Sequence, residues 1–475
     1  MLFNSLDFAV FLPIVFILYW FVFKQSLRAQ NILLLVASYV FYGWWDWRFL
    51  GLILFSTLVD FGIGNSLRYA KEARKRKLLL YTSVFVNLGL LGVFKYYNFF
   101  IDNFVAAFSF FGSSIQPSSL DIILPVGISF YTFQTLSYSI DVYRHQLRPV
   151  SGFVPFASYV AFFPQLVAGP IERATHLLPQ FLKPRVFDSE LAKGGVSLII
   201  WGLFKKMVVA DNCAFFVNQI FDGTGGYSSA ELFLGIVLFA FQIYGDFSGY
   251  SDIAIGVARL FGFQLMTNFS FPYFSRDIAE FWRRWHISLS TWFRDYLYIP
   301  LGGSRGSTWQ QVRNVFIIFL VSGFWHGANW TFIVWGGIHA FLFLPLLVLK
   351  WNRKHTSSTR ISWGELPSIL GTFLMVCLAW LFFRADSLEA AWHFLARIFS
   401  FDSFALGLFY SSSKSLLFSL ISAVGILVLL GYEYRSVQGQ AREVQLTTYQ
   451  AILIGVLIVF MGVYKNPSDF IYFQF

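Results

Sequence analysis

Charge is scarce in this chain. Only 13% of its 475 residues are Asp, Glu, Lys or Arg, against 57% that are hydrophobic. A soluble domain carries about twice that charged share. Cysteine is scarcer still: Cys213 and Cys377 are the whole supply. Two are too few for a disulfide framework or a metal cluster, and neither falls in a Cys-His motif. They read as buried thiols. Also missing are the Gly-Lys-Ser/Thr ending of a phosphate loop, a Gly-x-Ser-x-Gly elbow, a long linker and any fixed-period repeat. The missing repeat weighs against an inverted-repeat transporter. The first apolar run, 6–23, lacks a basic leader and a small-residue cleavage site, so it is expected to stay as a helix.

What is present is apolar and aromatic, with 60 Phe and 16 Trp. The runs predict an all-α polytopic membrane protein with aromatic belts at its interfaces. About ten to twelve spanning helices are expected. Pro125, Pro155, Pro164 and Pro170 break up the region 122–170, where re-entrant or interfacial pieces are expected. The chain reads as one domain, 1–475, with its active region over 231–349. The net charge of +10 follows topology, because the basic residues cluster in short loops. The densest cluster, 68–77, is placed in the cytoplasm, which puts Lys24–Arg28 inside and the N-terminus outside. The surroundings are lipid, and no nucleic acid or metal is expected.

An ionisable residue interrupts the longest apolar run. His326 lies within 315–338, read here as a single crossing. A histidine at membrane depth faces a protein interior or a wet cavity, and it can move a proton near neutral pH. A structural hydrogen bond is the competing role. His339 would lie about 20 Å further along the same helix, on another face, and so outside the same site.

A second polar stretch covers 277–307. With 281–298 taken as one helix, Arg283, His286, Ser290 and Arg294 form one stripe, while Arg284, Ser288, Thr291 and Asp295 form another. Two polar stripes suit a helix lining a cavity. The alternative is an interfacial helix whose arginines meet lipid phosphates. Arg305 in the glycine-rich 301–307 either touches a phosphate or marks a basic turn. A third island, 242–252, carries Asp246 and Asp252, which could orient a catalytic group, carry protons or pin two helices together.

Glu280–Gly303 (EFWRRWHISLSTWFRDYLYIPLGG) and Gly323–His339 (GFWHGANWTFIVWGGIH) resemble a membrane-bound O-acyltransferase (MBOAT). The likeness is to the bacterial branch that includes alginate O-acetyltransferase. Ala37–Trp45, Leu124–Phe133, Asp246–Gly256 and the closing Tyr472–Phe475 match as well. The resemblance implies helices ringed around a central tunnel in a bacterial inner membrane, with His326 and His286 at its narrow point. It implies no bound cofactor, acetyl-CoA as cytoplasmic donor substrate, and O-acetylation of an exported, alginate-like polysaccharide. It also implies a separate periplasmic acetyltransferase of the Ser-His-Asp (SGNH) type and the polymer's synthesis and export machinery as partners.

On that basis His326 is expected to act as general base. His286 or Asn329 would polarise the thioester carbonyl or hold the imidazole tautomer. Arg283, Arg284, Arg294 and Arg305 would form the rim for CoA phosphates, and Ser290, Asp295, Trp325 and Asp246 are further candidates along the tunnel. Three alternatives stand beside this reading. One is transfer of D-alanine or another acyl group to teichoic acid, peptidoglycan or cellulose. Another is a proton-coupled transporter using His326, Asp246 and Asp252, and the last is a non-catalytic assembly subunit.

Overall fold

The computed structural model describes residues 1–110, 120, 123–125, 127–167, 169–223, 226–356, 360–465 and 467–473. Every regular element among them is helical. Among the described residues, six segments are long and apolar enough to cross a membrane: Leu27–Tyr69, Ala73–Phe110, Ser229–Leu260, Trp330–Val348, Trp363–Arg384 and Ser413–Gln438. Leu6–Val22, Phe153–Leu166 and Thr448–Met461 are shorter apolar helices. The chain is a multi-pass membrane protein. It divides into two compact units, Met1–Ala192 with Val257–Met266, and Lys193–Gly256 with Thr267–Phe475.

In the first unit, Ser26 caps Leu27–Asp46 by accepting from the Ala29 amide. A turn at Trp47–Phe49 then separates it from Leu50–Tyr69. Each of these helices has 20 residues, about the length of one bilayer crossing. Asp60 is fully buried and accepts from the hydroxyls of Ser83 and Ser139 and from the Asn87 amide. These bonds pin Leu50–Tyr69 to Ala73–Leu91 and Ile128–Tyr143 without exposing a charge to hydrocarbon. Gly127 precedes the last of these with φ 76. A side chain there would meet the Leu166 carbonyl at 2.8 Å, so the motif around Leu124–Phe133 requires glycine at this point. Val126 of that motif lies outside the described residues.

In the second unit the expected single crossing over 315–338 is a hairpin. Thr308–His326 ends at the histidine, Gly327 is extended, and Asn329 caps Trp330–Val348 by accepting from the Thr331 amide at 3.1 Å. Gly-Ala-Asn stops the first helix and caps the second, which an apolar count alone does not register. The two helices touch through glycines. A Cβ on Gly323 would lie 2.2 Å from the Phe332 carbonyl, and one on Gly336 would lie 2.2 Å from that of Phe319. This close approach positions His326 beside Trp335 of the second helix, with ring centroids 5.2 Å apart. His339 is therefore on the antiparallel neighbour of the His326 helix and not further along it. Trp335 lies between the two, 4.9 Å from His339.

Candidate active site

The stretch taken as one helix over 281–298 is broken. Asp277 caps Ile278–Arg284 by accepting from the Glu280 amide at 2.7 Å. The helix stops at Trp285, and His286 adopts φ 42, ψ 52 before Ile287–Phe293 begins. A left-handed conformation costs a non-glycine residue about 1–2 kcal/mol, so surrounding bonds must hold it. The break also dissolves the two stripes, because Arg283 and Arg284 no longer share a helix with His286, Ser290 and Arg294.

Asn268 holds the break. Its carbonyl accepts from the Ile287 amide at 2.8 Å. Its side-chain oxygen lies 2.9 Å from His286 Nδ1 and accepts from the Ser288 hydroxyl at 2.9 Å. Its amide nitrogen donates to Ser251 at 2.9 Å. With the amide so oriented, His286 carries its proton on Nδ1 and presents the lone pair of Nε2.

His286 and His326 are 2% and 4% exposed, with ring centroids 6.5 Å apart. Tyr472 completes the group, 5.7 Å from His326 and 6.4 Å from His286. Phe247 packs on His286 at 4.7 Å and Phe383 on His326 at 5.5 Å. The site is thus two imidazoles in an aromatic box. Tyr472 is placed by Asp246, whose carboxylate accepts from the Ile471 amide at 2.6 Å and pairs with Lys206 at 2.8 Å. Lys206 also bonds Asp211 and the Ser468 carbonyl. These contacts fit both the orienting and the pinning roles open to Asp246. Asp252 pairs with Lys205 at 2.7 Å. Gln474 and Phe475 of the closing motif lie outside the described residues.

The other sequence candidates scatter. Arg284 pairs with Glu280 at 2.6 Å, and Arg276 meets the same carboxylate at 2.9 Å. Burial pushes the Glu280 carboxyl up, but the Arg276 hydrogen bond and the two guanidinium charges outweigh it and hold it below its usual range. Arg283 donates to the Asn352 carbonyl at 2.7 Å. Asn329 is occupied by its cap and by the Asp386 carbonyl at 2.9 Å. The imidazole that an asparagine side chain does hold is that of His286, through Asn268, and not the His326 ring assigned to Asn329. Trp325 is half-buried, Arg305 is exposed, and Arg294 pairs with Asp295 at 2.7 Å on the surface.

A cavity of about 270 Å³ runs beside these elements, walled by Trp282, Phe293 and Phe319. Arg294 and Arg353 line its exposed part, and Ser290 and Ser322 line it as well. Each serine is four residues, about one helical turn, from a histidine of the pair. Asn268, Ser322 and Arg353 escaped sequence reasoning. Asn268 stands in 264–277, where no period or motif marks it, and Tyr472 was visible only as part of a closing motif.

The structure thus brings two buried imidazoles together, one of them bonded to Asn268, in a helical membrane protein. The class is a membrane acyltransferase. The family model "MBOAT, membrane-bound O-acyltransferase family" matches residues 40–388, and the chain belongs to that family as an O-acyltransferase. It is 41% identical to the probable alginate O-acetylase AlgI of Azotobacter vinelandii, over 90% of this chain and 83% of that protein. It is 36% identical to the peptidoglycan O-acetyltransferase of Helicobacter pylori, over 82% and 78%. The teichoic acid D-alanyltransferase of Bacillus subtilis shares 27% identity over 55% of this chain and 69% of its own length.

Proposed function

We propose that this protein moves an acetyl group from cytoplasmic acetyl-CoA across the bacterial inner membrane for O-acetylation of an exported, alginate-like polysaccharide. The observation that carries the reading is the buried pair His286–His326, with one ring locked by Asn268. Acetyl-CoA is already an activated thioester, so the task is to bring donor and acceptor together across a membrane. His326 takes the proton of an acceptor hydroxyl, and the freed oxygen attacks the thioester carbonyl carbon. The C–S bond then breaks, and the proton passes from imidazolium to the departing thiolate. General base catalysis of this kind contributes about 10²- to 10⁴-fold.

His286 has Nδ1 committed to Asn268, so it polarises the carbonyl only when Nε2 is also protonated. The reactive pair therefore starts with His286 doubly protonated and His326 neutral, and only the proton taken up by His326 moves on to the thiolate. The apolar cavity suits the pantetheine arm, and Arg294 and Arg353 at its exposed part suit CoA phosphates. The acceptor at His326 is a serine of a separate periplasmic Ser-His-Asp acetyltransferase, working beside the polymer's synthesis and export machinery. The N-terminus then lies outside. The peptidoglycan O-acetyltransferase relative supports a second acceptor, peptidoglycan, for the same chemistry.

The test compares ester content of envelope polysaccharides in cells carrying the unsubstituted protein, no protein, or His326→Ala, with membrane abundance measured alongside. Ester loss equal to the null strain at normal abundance is expected, and the missing ester names the polymer. Esters that persist in the variant overturn the catalytic role of His326.

A further inference from the structure

Away from the histidine pair, the stretches 16–25 and 185–187 enclose a groove of about 550 Å³. Both belong to the unit Met1–Ala192. Phe16, Trp20, Phe21 and Phe187 form its walls, and Lys24 and Arg185 are its charged groups. Phe21 is 71% exposed and Phe187 is 49% exposed. Phe21 stands on the apolar helix Leu6–Val22, and Phe187 lies in the stretch that follows Ala174–Phe181. Lys24 marks the point where the apolar run ends.

Arg185 is bonded only to neutral acceptors. Its guanidinium donates to the Asn31 side chain at 2.7 Å, the Gln180 carbonyl at 3.1 Å and the Gln30 side chain at 3.4 Å. It also lies over the rings of Phe263 and Tyr19, at 4.9 and 5.6 Å. Its Nε is buried and makes no hydrogen bond. Among the described residues no carboxylate pairs with Arg185 or with Lys24. A half-buried guanidinium normally finds an anionic partner, because its charge is poorly screened there.

We infer that the groove holds an anionic phospholipid. The phosphate sits against Arg185 and Lys24, and the acyl chains lie along Phe16, Phe21 and Phe187. A free phosphate ion leaves the aromatic wall uncovered. A zwitterionic lipid carries its own ammonium and brings no net charge to offset two cations. Phosphatidylglycerol matches both halves of the groove.

The test uses the full chain with a benzophenone amino acid at position 21, in vesicles of phosphatidylglycerol and phosphatidylethanolamine in equal amounts with matched acyl chains. After irradiation, mass spectrometry counts the two adducts. A phosphatidylglycerol excess is expected, and each charge removed, Lys24→Gln or Arg185→Gln, lowers it by about fivefold. Lys24→Gln breaks no hydrogen bond or ion pair described for the chain, so it decides the matter if Arg185→Gln fails to fold. Excess inorganic phosphate leaves the adducts unchanged. Equal capture of the two lipids, an unaltered ratio in Lys24→Gln, or displacement by phosphate overturns the assignment.

Discussion

Replacing Asn268 with alanine removes the acceptor of His286 Nδ1 and Ser288, and the donor to Ser251, while the backbone bond to Ile287 stays. A buried hydrogen bond contributes about 0.5–1.5 kcal/mol, so losing these three should lower the thermal inactivation temperature. The catalytic effect is separable. With Nδ1 released, both tautomers of His286 are populated and the ring is free to turn about its side-chain bonds. An orienting bond worth about 1.4–2.8 kcal/mol corresponds to a 10- to 100-fold loss of rate. Acetyl transfer from labelled acetyl-CoA, measured in membranes that retain the acceptor and normalised to folded protein, reads that loss. Asn268→Asp sharpens the experiment. It retains an acceptor for Nδ1 but places a negative charge beside the ring, which favours imidazolium. His286, which polarises the carbonyl only with both ring nitrogens protonated, then stays protonated to higher pH, so the falling limb of the pH–rate profile moves to the alkaline side. A packing role would leave that limb in place. Asn268→Ala working at the unsubstituted rate while His286→Ala does not would refute the clamp.

Two further outcomes follow from the buried charges. Glu280 has its carboxyl held below the usual range, so its contribution is present above the ordinary glutamate pKa of about 4.3 and disappears as pH falls through the folded value. Glu280→Gln should cost about 3 kcal/mol near neutrality and flatten the acid side of the inactivation temperature against pH; an unchanged acid profile counts against the ion-pair account. Asp246→Asn leaves Lys206 its bond to Asp211 but weakens the hold on Ile471. The expected signature is faster proteolysis of 467–473 together with reduced transfer, and a tail as resistant as before would show that Asp246 does not anchor it.

The parts of this molecule that were legible in its sequence share one physical cause. Hydrocarbon tolerates few polar groups, so twenty apolar residues announce a helix, and a histidine among them announces a reason to be there. His326 was found this way, and His286 came through its motif. The errors fell where backbone geometry departs from a continuous helix. Gly327 and Asn329 turn one apparent crossing into a hairpin, and His286 occupies a conformation that glycine usually takes. Neither interrupts the hydropathy pattern, because Ala328, Trp330 and Trp285 keep it going. Asn268 was invisible for a related reason. Its carbonyl secures the break at Ile287 while its side chain fixes the proton on His286, and both contacts reach 18 or more residues along the chain. A periodic reading assumes regular backbone and therefore overlooks a residue whose purpose is to support an irregular one. The same logic links strain to chemistry here. The break that sets His286 in a left-handed turn also sets its ring 6.5 Å from His326. In a straight helix over 281–298, His286 would keep its place in the sequence motif, but Asn268 would no longer hold both its ring and the following amide.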